Sequence, residues 1–174
     1  MTQIYYQKSD IGNYIENNIS YCNSLDEEKL TSFILSENNW MERRGCASGE
    51  EIGINVKPGD VCYLDYGRAY LNEAGYQHFG LIMTISSCKA LIIPMTSNKR
   101  TYNKAYDPHI NPHGKRNLYQ LGKLPGMNRE SVLFLNDARF INTARVIRIM
   151  AHLDTDDKRF SEIQQRLGAI LFQS

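Results

Sequence analysis

His78, Thr96 and Ser97, followed by Lys99 and Arg100, are the residues of this chain whose types and spacing suit a chemical step. An imidazole exchanges protons near neutrality, because its unperturbed pKa is about 6.5. Hydroxyls and cations stabilise negative charge gathering on phosphorus. Together they meet the needs of metal-free RNA cleavage. A base takes the 2′-hydroxyl proton, the oxygen attacks the adjacent phosphorus, an acid protonates the leaving 5′-oxygen, and donors hold the phosphorane. His78, Thr96 and Ser97 are therefore the candidate catalytic residues. The plainer alternative is a strand-edge histidine bonded to a carbonyl and a hydroxyl pair that caps a turn.

Strands must bring these groups together. Apolar runs at 79–85 and 90–94 flank Ser86-Ser87 and Lys89, which suits a tight turn and a hairpin. Its open ends place His78, just after a glycine-punctuated loop over 67–77, beside Thr96. Further strands are expected at 61–66, 131–135 and 140–141, while 146–153 fits a strand or a helix. Asp154 is expected to cap a last helix with Phe160, Ile163, Leu167 and Ile170 or Leu171 at helical spacing. Short strands in close succession favour a small antiparallel barrel or strongly curved sheet.

Two helices precede these strands. Ile11, Ile15, Ile19 and Cys22 share one face of the first; Ser24 and Glu27 read as a capping box opening the second, with Leu30, Phe33 and Ile34 as its apolar residues. Residues 45–53 read as a linker, dividing the chain into a helical extension, 1–50, and a barrel domain, 51–174. Trp40 is expected to anchor these helices in an interface or a core, with core the default. Cys62 and Cys88 lie in apolar runs and are expected to be buried thiols.

The net charge of +1 conceals a segregation. Residues 1–60 hold ten acidic and five basic side chains, whereas 99–129 hold seven basic and one acidic, together with His109 and His113. The basic stretch interleaves cations with tyrosines, a pattern suited to single-stranded nucleic acid, where phosphates meet Lys or Arg and bases stack on rings. The candidate RNA contacts are Lys99, Arg100, Tyr102, Lys104, Lys115 and Arg116. The acidic extension is a candidate to fold over this stretch and restrain it, and equally to brace a dimer or to add to the core. His109 and His113 have ligand-like spacing, but Pro108 and Pro112 disfavour a helix and no cysteine is near, so no metal is assigned. Gly122 to Gly126 lacks the Lys-Ser/Thr of a phosphate loop, and no cofactor is expected. The N-terminus lacks a signal-peptide pattern and no apolar run reaches the ~20 residues of a membrane span. A soluble, cytoplasmic protein with no membrane partner is expected.

Pro58-Gly59-Asp60-Val61, Leu64-Asp65-Tyr66-Gly67 and Asn72-Glu73-Ala74-Gly75 resemble the opening of MazF/PemK-type toxins. That family carries a Gly-Asp-Ile/Val strand, an Asp-x-Gly and a Ser-Glu-x-Gly-Gly loop in this order. Pro94-Met95-Thr96-Ser97 is similar to its Pro-x-Thr-Ser. Ser131-Val132-Leu133, Ala138-Arg139-Phe140-Ile141-Asn142 and His152-Leu153-Asp154 are similar to its later segments. The resemblance covers about residues 56–173. It implies a small SH3-like barrel with a C-terminal helix, usually dimeric, that cuts single-stranded RNA without metal and is paired with an antitoxin. It also carries over Arg139, the last candidate RNA contact. Gly80 through Lys99 is similar to the ToxN/AbiQ type, whose antitoxin is RNA, so a protein and an RNA antitoxin both stay open. Where the family has Arg-Pro, this chain has His78-Phe79. Arginine is a permanent cation and a poor base, so His78 is either the acid/base of this chain or the mark of a barrel that binds without cleaving.

Overall fold

The computed structural model describes residues 7–172. Its body is a seven-stranded antiparallel sheet in the order β4-β5-β3-β2-β1-β7, with β6 also beside β3. The strands are β1 (Asp60–Asp65), β2 (Gln77–Ser86), β3 (Lys89–Thr96), β4 (Leu118–Gly122), β5 (Ser131–Phe134), β6 (Arg139–Asn142) and β7 (Val146–His152). β3 is shared: Lys89 to Ile92 pair with β6, while Met95 and Thr96 pair with β5. The sheet therefore divides at β3 and bends. The turn after β4 comes up against β7, so closely that a Cβ on Gly126 would lie 2.6 Å from the Met150 carbonyl oxygen. Inside this small barrel Val61, Leu81, Ile93, Leu121 and Leu133 pack with Phe160, Ile163 and Leu167 of the C-terminal helix, α4 (Lys158–Leu171).

The expected strands and closing helix are present, and 146–153 resolves as a strand. β4 is an addition, lying inside the basic stretch, where no strand is among those expected from the sequence. Its edge is covered by α4: Arg166 donates to the carbonyls of Arg116 and Leu118 at 2.7 and 2.8 Å, and Arg159 to that of Leu121 at 3.3 Å. Pairing of this kind blunts an open sheet edge. The α4 cap is Asp157, which accepts from the Arg159 N–H at 2.8 Å; Asp154 holds the preceding turn through the Asp156 N–H at 3.0 Å.

The extension forms α1 (Ile11–Ser24) and α2 (Glu27–Arg43). Asp26, not Ser24, caps α2, accepting from the Lys29 N–H at 2.8 Å. Ser24 instead donates to the Tyr21 carbonyl at 2.7 Å. Ile11, Ile15 and Ile19 share a face as expected, yet α1 has no buried residue and that face meets solvent. Trp40 is 56% exposed, not core, with the Arg44 guanidinium 5.3 Å from its ring centre. Cys62 is buried, and burial beside Asp60 pushes its thiol up to about 12. Cys88 sits in the hairpin turn and is exposed, contrary to expectation, because the apolar runs stop on either side of it.

α2 is fixed to the barrel through a buried polar knot. The Asp65 carboxylate accepts from Ser36 Oγ at 2.9 Å, Asn39 Nδ2 at 3.2 Å and the Gly67 N–H at 2.9 Å. Arg43 Nη1 donates to the Ala144 and Val146 carbonyls at 3.1 and 2.8 Å. The stretch read as a linker is docked as well, the Gly49 N–H donating to Thr143 Oγ1 at 2.9 Å and Asn142 Nδ2 to the Cys46 and Ala47 carbonyls. Among the described residues, no hydrogen bond, ion pair or ring contact joins α1 or α2 to residues 99–129. The extension lies on the Asp65 side, so it does not restrain the basic stretch. Ser36→Ala leaves a buried carboxylate one donor short and is expected to cost about 1–3 kcal/mol, read by urea denaturation; a loss of a few tenths would mean that Asn39 and Gly67 suffice.

Candidate active site

β2 and β3 run antiparallel with Phe79 opposite Met95. One step further along that register His78 faces Thr96. The two line one open cavity of about 460 Å³. Its polar wall includes Lys104, Lys115 and Thr101 and two carboxylates, Glu73 and Asp137. His78 is exposed at the start of β2, where the preceding loop folds back by a 2.6 Å bond from the Tyr76 N–H to the Gly67 carbonyl. Thr96 is half-buried at the end of β3. Its Oγ1 accepts from the Asn98 N–H at 3.3 Å, and Asn98 in turn caps the short helix α3 (Lys99–Tyr102) through the Thr101 N–H at 3.1 Å. The turn-capping role therefore exists, but it uses only an oxygen lone pair of Thr96. Among the described residues Thr96 Oγ1 donates to no protein acceptor, which leaves its hydroxyl able to donate to a ligand.

Ser97 opens elsewhere. It lines a cavity of about 330 Å³ with Phe79, Met95, Thr96 and Arg129. It also lines one of about 540 Å³ with Lys99, Tyr102 and Arg129. Thr96 thus stands between two cavities, one holding His78 and one holding Ser97, and the structure does not bring Ser97 to His78.

The basic residues divide in the same way. Lys104 and Lys115 are eleven positions apart but adjacent in space, the Lys115 N–H bonding the Lys104 carbonyl at 2.7 Å, and both reach the His78 cavity. Lys99 faces the Ser97 side, and Arg100 is exposed on α3 and lines neither cavity. Tyr102 is half-buried against Ala105, Leu118 and Val132, and burial, helped by Glu130, holds its hydroxyl above the ordinary phenol range. Arg116 lies 5.0 Å from the Tyr106 ring centre, away from the His78 cavity. Arg139 is committed to the fold, donating to Asp137 at 2.7 Å and the Ala74 carbonyl at 3.1 Å while its guanidinium covers the Tyr66 ring.

The structure also draws in residues not singled out from the sequence. Glu73 belongs to the loop that resembles the Ser-Glu-x-Gly-Gly segment, but only the folded loop brings it to the wall of the His78 cavity, where its Oε2 accepts from the Tyr70 N–H at 3.2 Å. Arg129, counted merely as one basic charge, sits at both Ser97 cavities. Thr101 had no signal at all. His109 and His113 lie in a tight turn, where Asp107 accepts from the His109 and Ile110 N–H groups at 2.8 and 2.7 Å, and these donors hold its carboxyl below the usual range. Among the described residues no group of three or more His, Cys, Asp or Glu is placed to hold a metal ion, and no helix is long and apolar enough to cross a membrane.

Neither a scan of protein-family models nor a search of curated proteins gives a match. Among solved structures the chain is similar to MazF from Deinococcus radiodurans at 16% identity, covering 68% of this chain and 97% of that one with a TM-score of 0.48. It is similar to the Mycobacterium tuberculosis toxin MazF-mt6 at 12% identity, covering 64% and 95% with a TM-score of 0.44. An endoribonuclease in complex with its cognate antitoxin, from a mycobacterial species, is similar at 9% identity, covering 67% and 95% with a TM-score of 0.47.

Proposed function

We propose that this chain is a metal-independent endoribonuclease acting as the toxin of a toxin–antitoxin pair, in the manner of the MazF/PemK-type proteins it resembles. It cuts single-stranded RNA to a 2′,3′-cyclic phosphate and a 5′-hydroxyl. The observation that carries this reading is the shared cavity of His78 and Thr96, walled by Lys104 and Lys115. The two lysines attract and seat the scissile phosphate. The Thr96 hydroxyl donates to a non-bridging oxygen as charge develops there. Glu73 takes the 2′-hydroxyl proton; the 2′-oxygen bonds to phosphorus, the bond to the 5′-oxygen breaks, and His78 as imidazolium protonates the leaving oxygen. Asp137 is a poorer base, because Arg139 and the Ala74 N–H hold both of its carboxylate oxygens at 2.7 Å each, whereas Glu73 accepts one longer bond, from the Tyr70 N–H at 3.2 Å.

A homodimer, a cytoplasmic setting and an antitoxin, protein or RNA, belong to the same proposal. Purified protein incubated with mixed-sequence RNA, followed by sequencing of new ends, is expected to give cyclic-phosphate and 5′-hydroxyl termini at recurring sites, with the rate unchanged by EDTA. Loss of cleavage with chelator would overturn the metal-free mechanism. Tight RNA binding with no new ends would assign the barrel to a binder.

A further inference from the structure

A second pocket, of about 190 Å³, lies where the C-terminal end of α2 meets the barrel. Arg43, Arg44 and Arg145 converge on it, with Trp40 at its rim. Among the described residues, none of these arginines is in an ion pair. Arg43 Nη1 is bonded to the Ala144 and Val146 carbonyls, Arg44 Nη1 to the Met41 carbonyl at 2.6 Å, and Arg145 Nη1 to the Asp65 carbonyl at 3.3 Å. Carbonyl capping therefore accounts for a single nitrogen of each guanidinium, and the remaining N–H groups have no acceptor among the described residues. The one carboxylate in the wall, Asp65, is already filled by Ser36, Asn39 and the Gly67 N–H. Three convergent cations with open donors outweigh the single carboxylate in the wall and make an anion site.

We propose that this pocket binds a nucleotide, free or within an RNA strand, with its phosphate on the Arg43, Arg44 and Arg145 guanidiniums and its base against the Trp40 indole. The volume suits a phosphate and part of its sugar, and leaves the base outside, on the face of the exposed Trp40 ring that the Arg44 guanidinium does not cover. Base-to-ring stacking adds affinity without demanding a sequence. The pocket shares no lining residue with the His78 cavity, so the two are separate sites.

Trp40 is the only tryptophan of the chain, so its emission reports on this pocket. The full chain is titrated with AMP and with inorganic phosphate, and the His78→Ala chain with a short single-stranded oligoribonucleotide. AMP is expected to change the emission saturably, with affinity falling as salt rises. Inorganic phosphate, which has no base, is expected to bind at least ~10-fold more weakly. Arg44→Ala and Arg145→Ala are each expected to weaken AMP about 10-fold or more. Arg44 bonds only within its own helix end, so that variant keeps the fold, as circular dichroism would check. An oligoribonucleotide tighter than AMP identifies an RNA strand as the ligand; AMP as tight or tighter identifies a free nucleotide. The proposal falls if neither changes Trp40 emission at millimolar concentration, if both arginine variants bind as the unaltered chain does, or if phosphate alone binds as tightly as AMP.

Discussion

His78→Ala is expected to slow RNA cleavage by about 10²–10⁴-fold, the range over which a positioned general acid contributes. Thr96→Ala is expected to lose about 10²–10³-fold, as for removal of a donor aimed at developing charge. Both losses should fall on kcat, because neither group is needed to seat the phosphate in the ground state. Lys104→Ala and Lys115→Ala should instead act mainly on KM, since they supply attraction that is present before the reaction starts. His78 is exposed and Thr96 only half-buried, so neither variant opens a core cavity and the melting temperature should move little. Single-turnover kinetics on a defined RNA, beside a thermal melt, separates the cases. Full cleavage by both variants would remove this cavity from the mechanism. Loss of cleavage together with a large drop in melting temperature would assign the two residues to the fold.

The hairpin that unites His78 and Thr96 was legible because both of its strands are apolar runs with a polar turn between them, and the turn fixes which residues face each other. The same logic fails wherever the local signal has two solutions. Ser24 and Asp26 are both acceptable caps, and the preference goes to the side chain whose oxygen meets the Lys29 N–H. Asp154 and Asp157 pose the same choice one turn apart. The α1 isoleucines follow helical spacing, but spacing says only that they share a face, not what covers it. β4 is hidden because its few apolar residues are embedded among cations and its edge is completed by Arg159 and Arg166, far along the chain. Ser97 looked equivalent to Thr96 by adjacency; alternation along an extended chain keeps Ser97 out of the His78 cavity that Thr96 lines. Glu73 and Arg129 join the site through loops whose paths no periodicity encodes. The arginines of the second pocket come from α2 and from the turn before β7 and become one site only when α2 docks on Asp65.

Gly59→Ala is expected to be the most damaging single methyl in the chain. The Gly59 backbone ties two parts of the barrel, its N–H donating to the Ile82 carbonyl and its carbonyl accepting from the Leu153 N–H, each at 2.8 Å. Next to it the buried Asp60 carboxylate accepts from the Lys57 N–H at 2.8 Å and meets His152 Nδ1 at 2.8 Å. A Cβ at Gly59 would land on the Leu153 carbonyl oxygen and within 2.9 Å of the His152 ring, and the residue has φ +90°. Two penalties therefore coincide, left-handed backbone and a collision with main chain that cannot rotate away. Gly53 separates them: its φ is +75°, yet a Cβ there meets nothing within 4 Å. Gly53→Ala should lose only the backbone share, about 1–2 kcal/mol. Gly59→Ala should lose that and the cost of parting β1 from Leu153, in all about 3 kcal/mol or more. For a domain of this size that is a fall of roughly 6–12 °C in Tm, and RNA cleavage should fall with the folded fraction and not ahead of it. Equal losses at the two glycines would show that the Leu153 segment moves aside freely. The closure of the barrel would then have to lie in the Asp60–His152 pair, where Asp60→Asn would find it.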